Sequence, residues 1–500
     1  MIDPAQRDHP PSPSTHWVGL GFLTLAVLTS VVDSSVMTVV TPTISRSFHA
    51  SLPVVEWTTT IYSLFFGATM LLWGKLGAIF GHRRLFIFGS LLFATGSALV
   101  GWAPNIGLMI AMRAVQGVGA AMFNPAAIAL IGFLFGPNDR PLAYGINGMA
   151  GSIGVALGYV LGAACAQYFD WRWAFYVNLP ICAVAVAGAL KFVPLTSRAA
   201  TSGPLDVYGA VQSLVGLGLI IFGLSEAQTL GWGRSKVPVA VLGHALPVSL
   251  APLALVAGLA VMAVYVLREI DLSRHGREPV FDVKLFRLPS FRWGGIISML
   301  RYLAQFTVNY CVTLYLQLDE GVPAMHAAVV SVPNALAGIV AGPFGGWVAN
   351  RIGVTRAIQI GLVCQAAGIG WVWFLMAPHL TTWQLVGPFG LFGFGSGLSG
   401  AQLNTASLQE VPHERISDAA SAVTTFRQLG ASFAVAIFGI VAATSTVRLT
   451  MEGYDRTEVG VLSMQDVVLA MLIVNLVCLL LSVGIPNRGV LVSDAAAGGE

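Results

Sequence analysis

Short polar connections cut this chain into fourteen hydrophobic runs, each close to the length that crosses a bilayer core of roughly 30 Å at about 1.5 Å per helical residue. The first seven lie at about 17–40, 54–73, 84–102, 106–130, 142–167, 173–193 and 207–227. The other seven lie at about 239–267, 291–317, 324–348, 356–376, 383–405, 417–443 and 465–485. Hydrocarbon offers the backbone no hydrogen-bond partner, so runs of this length must form helices. The expected fold class is an all-α polytopic membrane protein. Charged residues make up only 10% of the chain, against about 25% in an ordinary soluble domain.

No sizeable polar segment is left over for a soluble catalytic domain, so an enzyme is not expected. The first run is too long for a signal-peptide core and lacks a small-residue cleavage site, so it should remain as the first spanner. The formal charge of +3 on 500 residues gives no basis for nucleic-acid binding. Cys165, Cys182, Cys311, Cys364 and Cys478 all fall inside hydrophobic runs without C-x-x-C or Cys/His spacing, so neither disulfides nor a metal is expected. There is no phosphate-cradling G-x-x-x-x-G-K-[ST] loop, and no cofactor is implied.

The chain repeats itself. Gly74 and Gly81 bracket the basic segment after the second run, and Gly346 and Gly353 bracket the one after the tenth, each pair 272 residues from its counterpart. Two six-helix halves therefore align, with the seventh and eighth runs inserted between them. Parallel halves of this kind are a transporter architecture with the substrate site at their interface. The expected organisation is a tail over 1–16, a bundle over 17–200, an inserted pair over 201–270, a linker over 271–290, a second bundle over 291–486 and a tail over 487–500.

The few polar residues inside the runs carry the functional reading. Asp33 lies in the first. A lone carboxylate in lipid costs at least about 2.5 kcal/mol, so it must face water, a partner or a proton. It either loads and unloads H⁺ or pairs with a structural Arg. Arg113 keeps its charge at any working pH and needs carbonyls, water or a carboxylate. In the ninth run Arg301, Gln305 and Asn309 share one helix face, with Tyr302 and Tyr310 beside it. That stripe either lines a cavity or makes interhelical hydrogen bonds. Tyr62, Gln402 and Asn404 are further cavity candidates, and Glu226 reads as a solvated acid at a helix end. Gly154, Gly158 and Gly162 form a smooth stripe, suited to static packing or to sliding during gating.

These features resemble the major facilitator superfamily, and within it the fourteen-spanner (DHA2-like) drug:proton antiporters. Asp33 with Pro42 is similar to that group's first-spanner motif, and Trp57, Tyr62 and Leu64 to its second. Leu108, Arg113, Gln116, Gly117 and Gly119 reproduce L-x-x-x-x-R-x-x-Q-G-x-G. Trp171, Arg172, Trp173, Phe175, Asn178 and Pro180 fit the start of the sixth spanner. Pro279, Asp282, Leu285, Phe286 and Phe291 fit the link into the ninth, and Arg427, Gln428, Leu429 and Gly430 the thirteenth. Two departures stand out. Ala78 and Ile79 replace the acid and base of the loop motif, with Asn350 replacing the acid of its second copy. Tyr159 and Ala163 replace the Pro and last Gly of the fifth-spanner antiporter motif.

The resemblance implies a major facilitator fold with fourteen spanners, working by alternating access as a proton-coupled exporter of small amphipathic compounds from a bacterial plasma membrane. The alternatives are an uncoupled facilitator or metabolite exporter, and a lipid flippase. Its partners would be the small-molecule substrate, H⁺ and the bilayer; no sequence signature bears on a periplasmic adaptor. Asp33 and Arg113 would couple the proton. Tyr62, Gln116, Arg301, Tyr302, Gln305, Asn309 and Asn404 would line the cavity. Gly74, Gly81, Arg83, Arg84, Gly154, Gly158, Gly162, Gly346, Arg351 and Gly353 would act in gating. With Arg427 packed between helices as in that group, Arg301 is the cation expected to face the cavity, which favours anionic, zwitterionic or carbonyl-rich ligands.

Orientation follows from the basic residues: with the N-terminus inside, seventeen of the 26 Lys and Arg fall in cytoplasmic segments, six outside and three within spanners. Both termini are therefore expected in the cytoplasm. Reporter fusions after Gly233 and after Asp455 should report the outside, and fusions after Arg277 and at Glu500 the inside. A cytoplasmic signal at Gly233 would remove the inserted pair.

Overall fold

The computed structural model describes residues 13–136, 138–195, 206–231, 240–241, 244–245, 249–275, 281, 283–318, 330–377, 380–412 and 415–486. Its first half consists of α1 (Pro13–Phe48), α2 (Leu52–Phe80), α3 (His82–Trp102), α4 (Ile106–Leu134), α5 (Arg140–Tyr168), α6 (Trp173–Tyr176) and α7 (Asn178–Phe192). The insert holds α8 (Val207–Ser225), the short α9 (Ala227–Leu230) and α10 (Leu250–Arg274). The second half holds α11 (Pro289–Leu318), α12 (Ser331–Ile352), α13 (Val354–Leu375), α14 (Val386–Leu408), α15 (Ile416–Met451) and α16 (Arg456–Leu481). Every one of the fourteen runs falls on a helix. Eleven helices among the described residues are long and apolar enough to span, and Tyr208–Leu224 is a shorter apolar helix. α11 and α14 reach spanning length but are diluted by the polar and small residues that matter below.

The structure moves several boundaries. α1 begins at Pro13, inside the expected tail, and α10 runs to Arg274, past the expected end of the insert. The eighth run starts its helix only at Leu250; before it Ala240–Val241 and His244–Ala245 form a two-residue antiparallel pair. The tenth run is described only from Val330, with helix from Ser331, residues 324–329 lying outside the described residues, and the sixth is interrupted at Val177. Gly74 and Gly346 do not open loops: they lie inside α2 and α12, because nothing in GKLGAIF or GWVANRI breaks a helix. The turn is made by one residue in each half, Gly81 at φ 95° and Gly353 at φ 97°, in backbone space that side-chain-bearing residues avoid. The tail over 487–500 and the segment 196–205 lie outside the described residues.

Packing relies on close backbone approach. α5 lays Gly154, Gly158 and Gly162 along α1, where an added Cβ would meet Val31, Ser35 and Val39 side chains at 2.7, 2.5 and 3.1 Å. Rising numbers match rising numbers, so the two helices run parallel. Across the halves, α5 meets α12 with Gly145 and Gly342 face to face. The other seam joins α2 to α15, and there the insert docks: a Cβ on Gly67 would strike both Ile221 of α8 and Gln428 of α15. Outside the helices, Asp206 accepts from Arg268 Nη2 at 2.8 Å, which holds its carboxyl below the usual range and ties α8 to α10.

The hydrophobic cores are distributed unequally between the two ends of the bundle. At the end carrying the Gly81 turn, one core joins both halves: Leu20, Leu71, Leu85, Ile131 and Tyr144 share it with Leu408, Ile416, Ala419 and Val423. At the opposite end the cores separate. One, around Val40, Val55, Val100 and Phe175, belongs to the first half, and the other, around Tyr315, Met376, Phe389 and Phe438, to the second.

A Cβ added to Gly430 would lie 2.2 Å from the Met299 carbonyl oxygen, whereas one added to Gly151 meets nothing within 4 Å. Gly430→Ala should therefore destabilise by about 1–3 kcal/mol, while Gly151→Ala should be neutral or slightly stabilising. Thermal unfolding of the two purified variants in detergent would check the contrast.

Candidate functional site

Five helices of the first half converge on Asp33, which is 1% exposed. Arg113 Nη1 donates to Asp33 Oδ2. Gln116 Nε2 and Asn178 Nδ2 both donate to Oδ1, at 3.2 and 3.0 Å. Arg113 is held in turn by Gln116 Oε1 at 3.0 Å and by the Thr58 carbonyl at 3.1 Å. Its guanidinium lies 4.3 Å from the Tyr62 ring centroid. Asn178 also donates to Ser97 Oγ at 2.9 Å, and that hydroxyl donates to the Phe175 carbonyl at 2.9 Å. α1, α2, α3, α4 and α7 are thus knotted through one carboxylate.

The sequence makes this convergence possible with small residues. Gly117 lets α4 approach α2 so closely that a Cβ there would lie 2.5 Å from the Tyr62 carbonyl oxygen. Gly96 makes room for Gln116 in the same way, at 2.9 Å. Arg113 Nη2 and Asn178 Oδ1 are buried without a hydrogen-bond partner among the described residues. The cluster therefore has spare donor and acceptor capacity beside the carboxylate.

The cavity candidates divide. Gln116, Tyr62 and Asn404 are buried, at 0%, 4% and 4% exposure. In this conformation they do not line open space, and the first two belong to the shell around Asp33. Arg301, expected to face the cavity, is 3% exposed and turned onto α14, where Nη1 donates to Ser396 Oγ at 3.0 Å, and it also donates to Gln305 Oε1 of its own helix at 3.1 Å. Gly400 leaves the space its guanidinium fills. Asn309 accepts from Asn334 of α12 at 3.3 Å. The stripe therefore makes interhelical hydrogen bonds, while Tyr302, Gln305 and Asn309 stay half-buried and Phe306 and Tyr310 are exposed. Arg427, expected between helices, is half-buried on α15 with its guanidinium 5.6 Å from the Tyr302 ring centroid of α11. Glu226, read as solvated, is only 6% exposed, where the short α9 packs on α10 and α15.

Of the gating candidates, Gly81 and Gly353 make the turns already described. Arg83 donates to the Leu190 carbonyl, Arg84 is exposed, and Arg351 sits 4.2 Å over Trp347. Gly346 meets the backbone of Pro141 and Leu142 across the seam, and Gly74 is buried within α2. Sequence reading missed Asn178 as a site residue. Its signal was a polar side chain placed between two apolar stretches.

A family model of the Major Facilitator Superfamily matches residues 22–435. The chain belongs to that superfamily. The puromycin resistance protein pur8 of Streptomyces alboniger is 31% identical over 438 residues, covering 86% of this chain and 82% of that protein. The cephamycin export protein CmcT of Amycolatopsis lactamdurans is 30% identical over 420 residues, covering 83% of each. Among solved structures, the human organic anion transporter MFSD10 matches with a TM-score of 0.63 over 95% of this chain and 100% of that one. At 14% identity it shows the fold alone. The superfamily member described here is a multi-pass membrane transporter of small molecules, not an enzyme.

Breaking the ion pair on one side leaves an uncompensated buried charge, which costs about 3–5 kcal/mol. Arg113→Ala should lower the unfolding temperature sharply, and combining it with Asp33→Asn should recover part of the loss. Asn178→Ala should cost less, about 1–3 kcal/mol. A double-mutant cycle on the purified protein would measure the coupling; additive effects would contradict it.

Proposed function

We propose that the protein is a proton-coupled antiporter of a bacterial plasma membrane, with both termini cytoplasmic, which exports small amphipathic compounds by alternating access. The observation that carries this reading is the buried Asp33 held by donors from three side chains of α4 and α7. Loading a proton removes the charge that Arg113, Gln116 and Asn178 are oriented to meet. The shell that ties α1 to α4 and α7 then loosens, and α1 is free to move over the smooth glycine face of α5. One proton moving through 100 mV releases about 2.3 kcal/mol, enough to tip two states that differ by a few kcal/mol.

The shared core lies at the end where α1 begins and α16 ends, which supports reading this as an outward-facing conformation under the proposed orientation. That closure combines the shared apolar core with polar contact between the halves, Gln402 Nε2 donating to the Pro141 carbonyl at 3.4 Å, in a chain with Ala78 and Asn350 where the family, by resemblance, uses an acid to latch the same end. Export of cephamycin and resistance to puromycin, as the relatives' names describe them, support an outward direction.

Asp33→Asn should fold and reach the membrane yet lose pH-gradient-driven efflux, while exchange down a substrate gradient survives. Flux into everted vesicles, with and without an imposed pH gradient, reads both. Retention of full gradient-driven transport by the variant would sink the assignment, and wild-type flux indifferent to the gradient would favour an uncoupled facilitator.

A further inference from the structure

We infer that the second half carries an anion-binding subsite, built by Arg301, Arg427 and Tyr302, that takes the carboxylate, phenolate or phosphate group of the exported compound. The inference rests on the exporter reading and names the class of its substrate.

Both guanidiniums lean on one ring: Arg301 Cζ lies 4.9 Å and Arg427 Cζ 5.6 Å from the Tyr302 centroid. Neither has an ion-pair partner among the described residues. None is available nearby in sequence, since α11, α12, α13 and α14 contain no Asp or Glu, and α15 has only Asp418 in its first turn. Arg301 Nε and Arg427 Nη2 are buried donors without acceptors. Two fixed charges on one ring repel each other, and the buried Arg301 has lost its water, so the pair is stabilised by an anion that comes between or beside them.

The repeat sharpens the contrast between halves. The offset that maps Gly81 onto Gly353 maps Asp33 onto Gln305. In the first half the carboxylate neutralises its arginine; in the second, an amide occupies the corresponding place and accepts from Arg301 without cancelling its charge. The half-buried Tyr302 and Gln305 and the exposed Phe306 stand on the α11 face beside this pair, and Tyr302 and Phe306 stack at 6.1 Å. Charge and aromatic surface together fit an amphiphile whose anionic group sits against the guanidiniums while its ring system lies on Phe306.

The test uses the purified full chain in non-ionic detergent, with 6-carboxyfluorescein and rhodamine 6G as anionic and cationic xanthene probes, followed by fluorescence anisotropy. Wild type should bind the anionic dye saturably and more tightly than the cationic one. Arg427→Gln should weaken the anionic dye by about 10- to 100-fold, the loss of one or two charged hydrogen bonds, and leave or improve the cationic one. Arg427→Lys should lose less. Arg301→Gln is a weaker probe, because Ser396 and Gln305 also depend on Arg301. Phosphatidylglycerol added to the micelles carries the same anionic chemistry and should not displace the dye; displacement would assign the subsite to lipid and overturn the substrate inference. So would the absence of saturable anion binding, or an anion-to-cation ratio unchanged by Arg427→Gln. Equilibrium binding needs no gradient, so failure here is separable from failure of proton coupling, which the Asp33→Asn flux reports alone.

Discussion

Between helices in a bilayer the hydrophobic effect has little to choose, because lipid tails are as apolar as leucine. What distinguishes one neighbour from another is how closely two backbones can come. In this protein that contact decides the architecture: α5 on α1 through Gly154, Gly158 and Gly162, α4 on α2 through Gly117, and α5 on α12 through Gly145 and Gly342. Polar chemistry follows from it. Asp33, Arg113 and Asn178 lie far apart in sequence and reach one another only because glycine brings their helices within a side chain's length.

The two halves share a plan and differ in charge. One closes its carboxylate and guanidinium into a neutral, hydrogen-bonded unit. The other keeps two guanidiniums and no acid at corresponding depth. The proposed exchange of a proton against another solute calls for sites that respond to different ligands, and repetition followed by divergence at a few positions is one way to build them.

Much of this could be read from the residues. Run lengths gave the helices, paired glycines gave the repeat, and the scarcity of charge made Asp33 and Arg113 stand out as residues needing a partner, while that they serve one another came only from the resemblance. Helix ends were less legible. Gly74 and Gly346 look like breakers but continue their helices, and the 239–267 run starts late because hydropathy does not mark where a helix begins. The Thr58 carbonyl that holds Arg113 has no sequence signal at all, being backbone. Arg301 left its expected place for a steric reason: Gly400 opens a slot on α14 that draws its guanidinium inward.

The insert has a mechanical consequence. α8 touches α2 and α15 at once, so it bridges the two bodies that must tilt against each other, and only on one of the two seams. Rocking about the pseudo-twofold axis then cannot be even-handed. In the proposed alternating access the helices on the bridged side would shear past a third body, while on the α5–α12 side the two halves meet directly, glycine on glycine. Two halves built as copies thereby acquire unlike seams, one with a third body in it and one without.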